Sequence, residues 1–331
     1  MDIKKIKYKI KRIQYAIIHG LLFQGFLRTK KLTAIIIEPT NICNLKCSCC
    51  PHGNEKKEER IGGFMSRQTF DIILKNMDIK IKEVNLYLHG EPFLNKDLDY
   101  FVEQLNRKQI WTTIYSNGYH IDLNLLENIL KHKRTQFTFS VDIFNKENYE
   151  KIRQPAKHEK IIEQLVIINR IFEKHKRMFD ITMIIDAKNI ENTHDICKKL
   201  LTEYSCLNKI SFGNRFPWPE HFHTGELNER LSKNRGLCSQ IKSNVSVYWN
   251  GDVTICSYDF SGQLVIGNLT ISKLSKVYNS YTARKIRKYH YMCNYSKLPI
   301  CQKCILPRCK SSSRIVTRKQ VLNEKQITEN S

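Results

Sequence analysis

From residue 32 to about 232, short runs of apolar, β-branched residues alternate with longer stretches whose apolar positions recur at helical spacing. The strand-like runs are "TAIIIE" (33–38), "EVNLYLH" (83–89), "WTTIYS" (111–116), "FTFSVD" (137–142), "DITMIID" (180–186) and "KISFG" (209–213). In the stretch 159–173, Ile161, Leu165, Ile168 and Phe172 fall on one helical face. Strands separated by helices predict βαβ units, a parallel sheet and right-handed crossovers. Beyond residue 235 the pattern changes. "NVSVYWNGDVTIC" (244–256) reads as two strands joined at Asn250-Gly251, a two-residue hairpin signal. A helical stretch follows near 270–288, then a loop rich in Cys and Pro. Residues 310–331 are polar without apolar periodicity and are expected to fray.

Active sites in such architectures gather at the C-terminal ends of the strands. The chemically unusual residues fall there. The six runs are followed or closed by "EPTNICNLKCSCCP" (38–51), "HGEP" (89–92), "SNGYH" (116–120), "SVD" (140–142), "DAKN" (186–189) and "GNRFPWPEHFH" (213–223).

Composition narrows the class. Hydrophobic residues at 41% and aromatics at 10% are globular values. Lys plus Arg number 55 against 32 Asp plus Glu, a net charge of +23. The basic residues are scattered rather than focused on one stretch, so nucleic-acid binding is not expected. An anionic surface or phosphate-bearing substrate, or simply Lys-rich solvated helix faces, accounts for the excess. In residues 1–31, Ile3, Ile6, Ile10, Ile13 and Ile17 recur at helical spacing among Lys and Arg, which predicts a basic amphipathic helix. That helix either lies on an anionic membrane or caps the main domain. Its apolar run at 16–27 is too short to span a bilayer. No small-residue cleavage site follows it, so the expected location is cytoplasmic, with peripheral membrane contact as the alternative.

Twelve cysteines in a long chain of this kind point to metal or cluster ligands rather than a disulfide scaffold. Cys43, Cys47 and Cys50 form C-x3-C-x2-C, with Cys49 spare. Iron–sulfur cubes have four irons and take Cys thiolates, so three ligands leave one iron open to a small chelating molecule.

On these residues the chain resembles the radical S-adenosylmethionine (radical SAM) enzymes. Their signature is C-x3-C-x2-C on the loop after the first strand of a partial (β/α)6 barrel. The resemblance implies a [4Fe–4S] cluster on Cys43, Cys47 and Cys50, whose open iron is chelated by S-adenosylmethionine. "HGEP" resembles the family's Gly-Gly-Glu-Pro, so Gly90, Glu91 and Pro92 would contact the cosubstrate's ammonium group, with His89 a departure. Ser116 and Asn117 of "SNG" would lie near the ribose. Ser140, Asp142 and Arg153 would complete the cosubstrate site.

Cys238, Cys256, Cys301 and Cys304, with Gly251 five residues before Cys256 and "IGNL" at 266–269, resemble the auxiliary-cluster domains called SPASM or Twitch. One auxiliary [4Fe–4S] cluster is implied, with Cys309 as substitute for Cys301 or Cys304. A structural zinc ribbon is the competing reading of the same spacing. The implied organisation is a basic helix at 1–31, a barrel at 32–232, a small hairpin-and-helix Fe–S domain at 233–310 and a disordered tail at 311–331. Cys197 and Cys206 read as packing residues. A thiol returning hydrogen to a substrate radical would have to be one of these, Cys293 or Cys309.

The functional expectation is an oxidoreductase-type enzyme that cleaves S-adenosylmethionine to a 5′-deoxyadenosyl radical and abstracts hydrogen from a polar substrate. Oxidation or epimerisation of a carbohydrate-like molecule is favoured over maturation of a ribosomal peptide. Arg215, Trp218, Glu220 and His221 are candidates to position that molecule. A flavodoxin- or ferredoxin-type reductant is implied. The reading from another class is a non-catalytic zinc protein that binds nucleic acid or membrane.

Overall fold

The computed structural model describes residues 32–53, 60–143, 145–185, 194–214, 238–304 and 314–321. The expected N-terminal helix, Arg215, Trp218, Glu220, His221 and Cys309 lie outside them. Within them the expected strands form one sheet: β1 (Ala34–Ile37), β2 (Glu83–Leu86), β3 (Trp111–Ser116), β4 (Thr135–Ser140), β5 (Phe179–Ile185) and β6 (Leu207–Asn214). They pair in parallel in chain order, as βαβ connection requires. The crossovers carry α1 (Arg67–Asn76), α2 (Leu98–Arg107), α3 (Leu123–Leu130), α4 (Lys146–Ile152), α5 (His158–Lys174) and α6 (His194–Glu203).

Strand alternation separates two faces. Val84, Leu86, Ile114, Phe137, Phe139, Ile181, Met183, Ile210 and Phe212 are buried with the helices. From α5, the residues of the expected stripe, Ile161, Leu165, Ile168 and Phe172, join them, and Phe172 meets Phe179 edge-on at 5.1 Å between ring centroids. The opposite face is polar. Register aligns Asn85 with Thr113 and Gln136, Tyr115 with Thr138 and Asp180, and Ser140 with Thr182 and Ser211. This inner surface of the partial barrel carries polar side chains where the outer face carries the apolar core.

Three expectations change. The C-terminal hairpin is not a detached unit: β7 (Ser246–Val247) pairs in parallel with β1, and β8 (Asp252–Thr254) and β9 (Val265–Asn268) continue the same sheet. Its turn is also longer than two residues. Tyr248 O accepts from Gly251 N at 2.8 Å, and Gly251 has φ +88°, a left-handed conformation that glycine adopts without strain. The polar tail, expected to fray, contributes β10 (Arg314–Thr317), antiparallel to β6. An uncovered β6 would expose a row of unpaired backbone groups, and β10 covers it. Val316 and Val321 are buried, and Arg318 donates to the carbonyls of Leu207 and Tyr204.

Candidate functional site

The loop after β1 is fixed from three sides. Ser48 N donates to Ile152 O at 2.9 Å, at the end of α4, and Lys46 N to Gln154 O at 2.6 Å, just past it. Asn44 Nδ2 donates to Tyr119 O at 2.8 Å, beyond β3. Glu91 N donates to Ile42 O at 2.9 Å, beyond β2. The approach of "HGEP" explains Gly90: a Cβ there would stand 2.3 Å from Thr40 O and 2.6 Å from Ile42 O.

The loop gathers Cys43, Cys47 and Cys50. Cys47 is buried, the other two half-buried. Burial pushes the Cys43 thiol up to about 12, and the neighbouring charges of Glu91 and Cys47 add to it. Burial raises Cys47 to about 11, with Arg153 drawing it down, and raises Cys50 strongly, with Cys47, Cys49 and Cys43 contributing. Burial, joined at Cys43 and Cys50 by the neighbouring cysteines, therefore disfavours the charged thiolates, and positive charge among them, such as irons supply, would favour them. Among the described residues no three His, Cys, Asp or Glu side chains meet closely enough to hold a single metal ion. A cube takes one thiolate per iron, so its ligands need not meet at one point. The donor set fits a cluster. Cys49, the spare, is half-buried beside the set.

Each expected cosubstrate residue lies around this loop. Glu91 is buried, and Ser116 Oγ (2.9 Å), Phe93 N (3.1 Å) and Asn117 N (2.7 Å) all donate to its carboxylate. The sequence reading aims this carboxylate at the cosubstrate; the structure uses it first to join the ends of β2 and β3. Asn117 Nδ2 donates to Asn44 Oδ1 at 2.8 Å and lies 3.8 Å from Cys43 Sγ. Pro92 is buried at the start of a short 3-10 turn, Pro92–Leu94. Ser140 ends β4, half-buried, beside Thr182. Asp142 and Arg153 are committed to each other: Arg153 Nε donates to Asp142 Oδ2 at 2.8 Å, and Ile184 N donates to Asp142 Oδ1. Arg153 Nη1 then reaches to 4.0 Å from Cys47 Sγ. Burial opposes the charge of Arg153, yet Asp142 and the thiols raise its pKa.

Burial lifts Glu91 to about 7 despite its three donors. A carboxyl that ionises later in the folded chain stabilises it fully below the unfolded value of 4.5, and that contribution is lost as pH rises through about 7. In ligand-free protein the denaturant midpoint of the wild type should therefore fall, relative to Glu91→Gln, between pH 5 and pH 8. A constant difference across that range would refute the assignment.

In the second set, Cys256 is buried, and its thiol is raised well above the usual range by burial and by Cys238 and Cys301. Cys238 precedes a helical turn, Ser239–Ser243, that leads into β7; Cys301 lies in the turn Pro299–Lys303, and Cys304 N donates to Cys301 O at 3.2 Å. The fold thus brings residues from 238, 256 and 301–304 together. Cys197 and Cys206 are buried in the barrel core, and Cys293 is exposed.

Sequence reasoning missed a cluster between the two sets. Glu38 is fully buried at the end of β1, and Arg60 Nη1 and Nη2 donate to its two oxygens at 2.9 and 3.0 Å. Burial alone would raise Glu38, but His89 and Arg60 hold it at about 2. A charge closing an apolar strand was the available signal, since buried charges require partners.

No helix among the described residues is long and apolar enough to cross a membrane. The model of the radical SAM superfamily matches residues 37–200, and that of the SPASM iron–sulfur cluster-binding domain matches 238–305. A curated relative, the GTP 3′,8-cyclase of Aliarcobacter butzleri (strain RM4018), is 26% identical over 181 residues, 54% of this chain and 55% of that protein. The chain thus spans little more than half the length of that relative. Among solved structures, native anSMEcpe with bound AdoMet is similar with a TM-score of 0.62 at 16% identity, covering 88% of this chain and 95% of that one. BtrN in complex with AdoMet and 2-DOIA has a TM-score of 0.56 at 17% identity, covering 83% and 94%. Streptococcus suis SuiB bound to S-adenosylmethionine has 0.54 at 17%, covering 85% and 73%. At these identities the likeness concerns the fold.

Proposed function

The chain belongs to the radical SAM enzymes that carry an SPASM iron–sulfur domain, and on that premise we propose that it oxidises or epimerises a small polar, carbohydrate-like molecule by hydrogen abstraction. Cys43, Cys47 and Cys50 hold the first cluster, and Cys238, Cys256, Cys301 and Cys304 the auxiliary one. When bound and reduced, the first cluster supplies the electron that splits S-adenosylmethionine into methionine and the 5′-deoxyadenosyl radical. The protein's part is to bind, orient and keep water out. Gly90 lets the second-strand loop lie against the cysteine loop, so that Glu91, Ser116 and Asn117 border the open corner as one hydrogen-bonded unit. Asp142 and Arg153 set positive charge beside Cys47.

The observation that supports the substrate class is the polar inner face of the sheet, and along it, from the N-terminal ends of β1 and β2, runs a cavity of about 320 Å³ lined by Ala34, Glu83, Asn85, Tyr87, Tyr115 and Gln240 among others. That volume lies at the small end of ligand pockets, about 300–1,000 Å³. Carboxylate, amide and hydroxyl groups suit a molecule with several hydroxyl or amino groups, and the tyrosine rings, 4.5 Å apart, offer it an apolar wall. A second reading, modification of a peptide, has one observation in its favour: similar structures include SuiB with precursor peptide SuiA and anSMEcpe with a peptide.

The experiment is anaerobic reconstitution with iron and sulfide, followed by S-adenosylmethionine, a flavodoxin-type reductant and panels of small polyols, amino sugars and peptides. Formation of 5′-deoxyadenosine, with deuterium transfer from a labelled polyol, is expected. A zinc-only protein that takes up no iron would overturn the reading. Deuterium transfer only from peptides would replace its substrate class.

A further inference from the structure

The replacement of a glycine by His89 in "HGEP" has a physical partner set. Arg60 Nη2 lies 2.8 Å from His89 Nδ1. Glu38 Oε1 lies 3.2 Å from the same nitrogen. On the far side of the ring the partner of Nε2 is a carbonyl, which can only accept, so Nε2 carries a hydrogen. That Nε2–H points at Ser257 O, 3.1 Å away and 168 residues later in the chain. Ser257 is bonded to Cys256. On the other side, His52 Nε2 donates to His89 O at 2.6 Å, and His52 follows Cys50 by two residues. Two hydrogen bonds and adjoining peptide units therefore run from Cys50 through His52, His89 and Ser257 to Cys256.

The surroundings leave His89 little freedom. Its ring is 4% exposed as a residue, 5.0 Å from the ring of Phe260 and 6.0 Å from that of Tyr248. Arg60, beside Nδ1, is itself held by both oxygens of Glu38, by Phe260 O at 2.7 Å and by the face of Tyr248 at 3.8 Å. Tyr248 and Phe260 flank Cys256 in the chain, and Glu38 leads into the first cysteine loop. A glycine would leave Ser257 O and Arg60 without this bridge.

We propose that His89 is a positioning residue that locks the loop of Cys256 against the loop of Cys43, Cys47 and Cys50, and so sets the relation between the two iron–sulfur sites. The proposal rests on the reading that both cysteine sets hold clusters. Arg60 and Glu38 act through it by holding the Nδ1 edge of the ring.

The test uses the full chain, reconstituted anaerobically, as wild type, His89→Leu and His89→Gln. Leucine keeps volume without hydrogen bonds; glutamine offers one acceptor and one donor. Iron content and electron paramagnetic resonance of the reduced protein are recorded with and without S-adenosylmethionine, with a redox titration of each signal. His89→Leu should keep its iron and the cosubstrate-induced change of the first signal. Its auxiliary signal should split into several species with a shifted midpoint, and His89→Gln should restore a single signal. An auxiliary signal and midpoint in His89→Leu identical to wild type would overturn the proposal, as would equal loss of iron in both variants, which marks a folding role alone. Wild-type protein without iron at either set would instead remove the reading beneath it, and the proposal with it.

Discussion

Cys47→Ala is expected to abolish reductive cleavage of S-adenosylmethionine, with 5′-deoxyadenosine falling by more than about 100-fold, beyond the 10- to 100-fold typical of outer partners of metal ligands. Three thiolates are the least that can hold a cube while leaving an iron for the cosubstrate, so no ligand is in reserve. Cys47 is also the most deeply set of the three, 8% exposed, and its carbonyl accepts from Cys50 N at 2.9 Å. Cys49 stands close by but belongs to no three-residue step of the motif, so Cys49→Ala should retain the cluster and most of the activity. Quantifying 5′-deoxyadenosine and iron in both variants checks this. Retained cleavage in Cys47→Ala, lost only when Cys49 is also removed, would reassign the ligand.

Arg153→Met should destabilise the chain by about 3–5 kcal/mol, because it strands a buried carboxylate. The side chains of Arg153 and Asp142 are 8% and 1% exposed, so solvent cannot take over the pairing. Removing both, in Arg153→Met with Asp142→Leu, should cost less than the arginine substitution alone. Part of the loss remains, since Ile184 N also depends on Asp142. Because Arg153 sets its charge beside Cys47 Sγ, iron uptake at the first site should weaken in the single variant. Urea unfolding of ligand-free protein under reducing conditions gives the free energies. Additive losses from the two substitutions would show that the pair does not act as a unit.

The barrel strands were legible because each is an apolar, β-branched run, and α5 because its stripe of Ile161, Leu165, Ile168 and Phe172 is regular. The cysteine sets stood out by their spacing, and the family resemblance of that spacing suggested clusters on them. What stayed hidden depends on partners far along the chain. Ile315 and Val316 carry too little apolar pattern to announce a strand, and only the open edge of β6 makes one of them. The parallel pairing of β7 with β1 joins residues about two hundred positions apart, beyond any local signal. Glu91, Asp142 and Arg153 were named through the family resemblance, but a sequence cannot say that their polar groups are first engaged by Ser116, Asn117 and each other. His89 was visible as a departure from a motif; its meaning needed Arg60 and Ser257 in place.

The central claim is an iron–sulfur cube with one corner free for S-adenosylmethionine. It is tested most directly in a variant with Cys238, Cys256, Cys301 and Cys304 replaced by serine, so that only the first site can hold a cluster. After anaerobic reconstitution and reduction, electron paramagnetic resonance should show a [4Fe–4S]⁺ signal whose g values move when S-adenosylmethionine is added. A cluster signal that is indifferent to S-adenosylmethionine, or no cluster while Cys43, Cys47 and Cys50 are intact, would contradict the account.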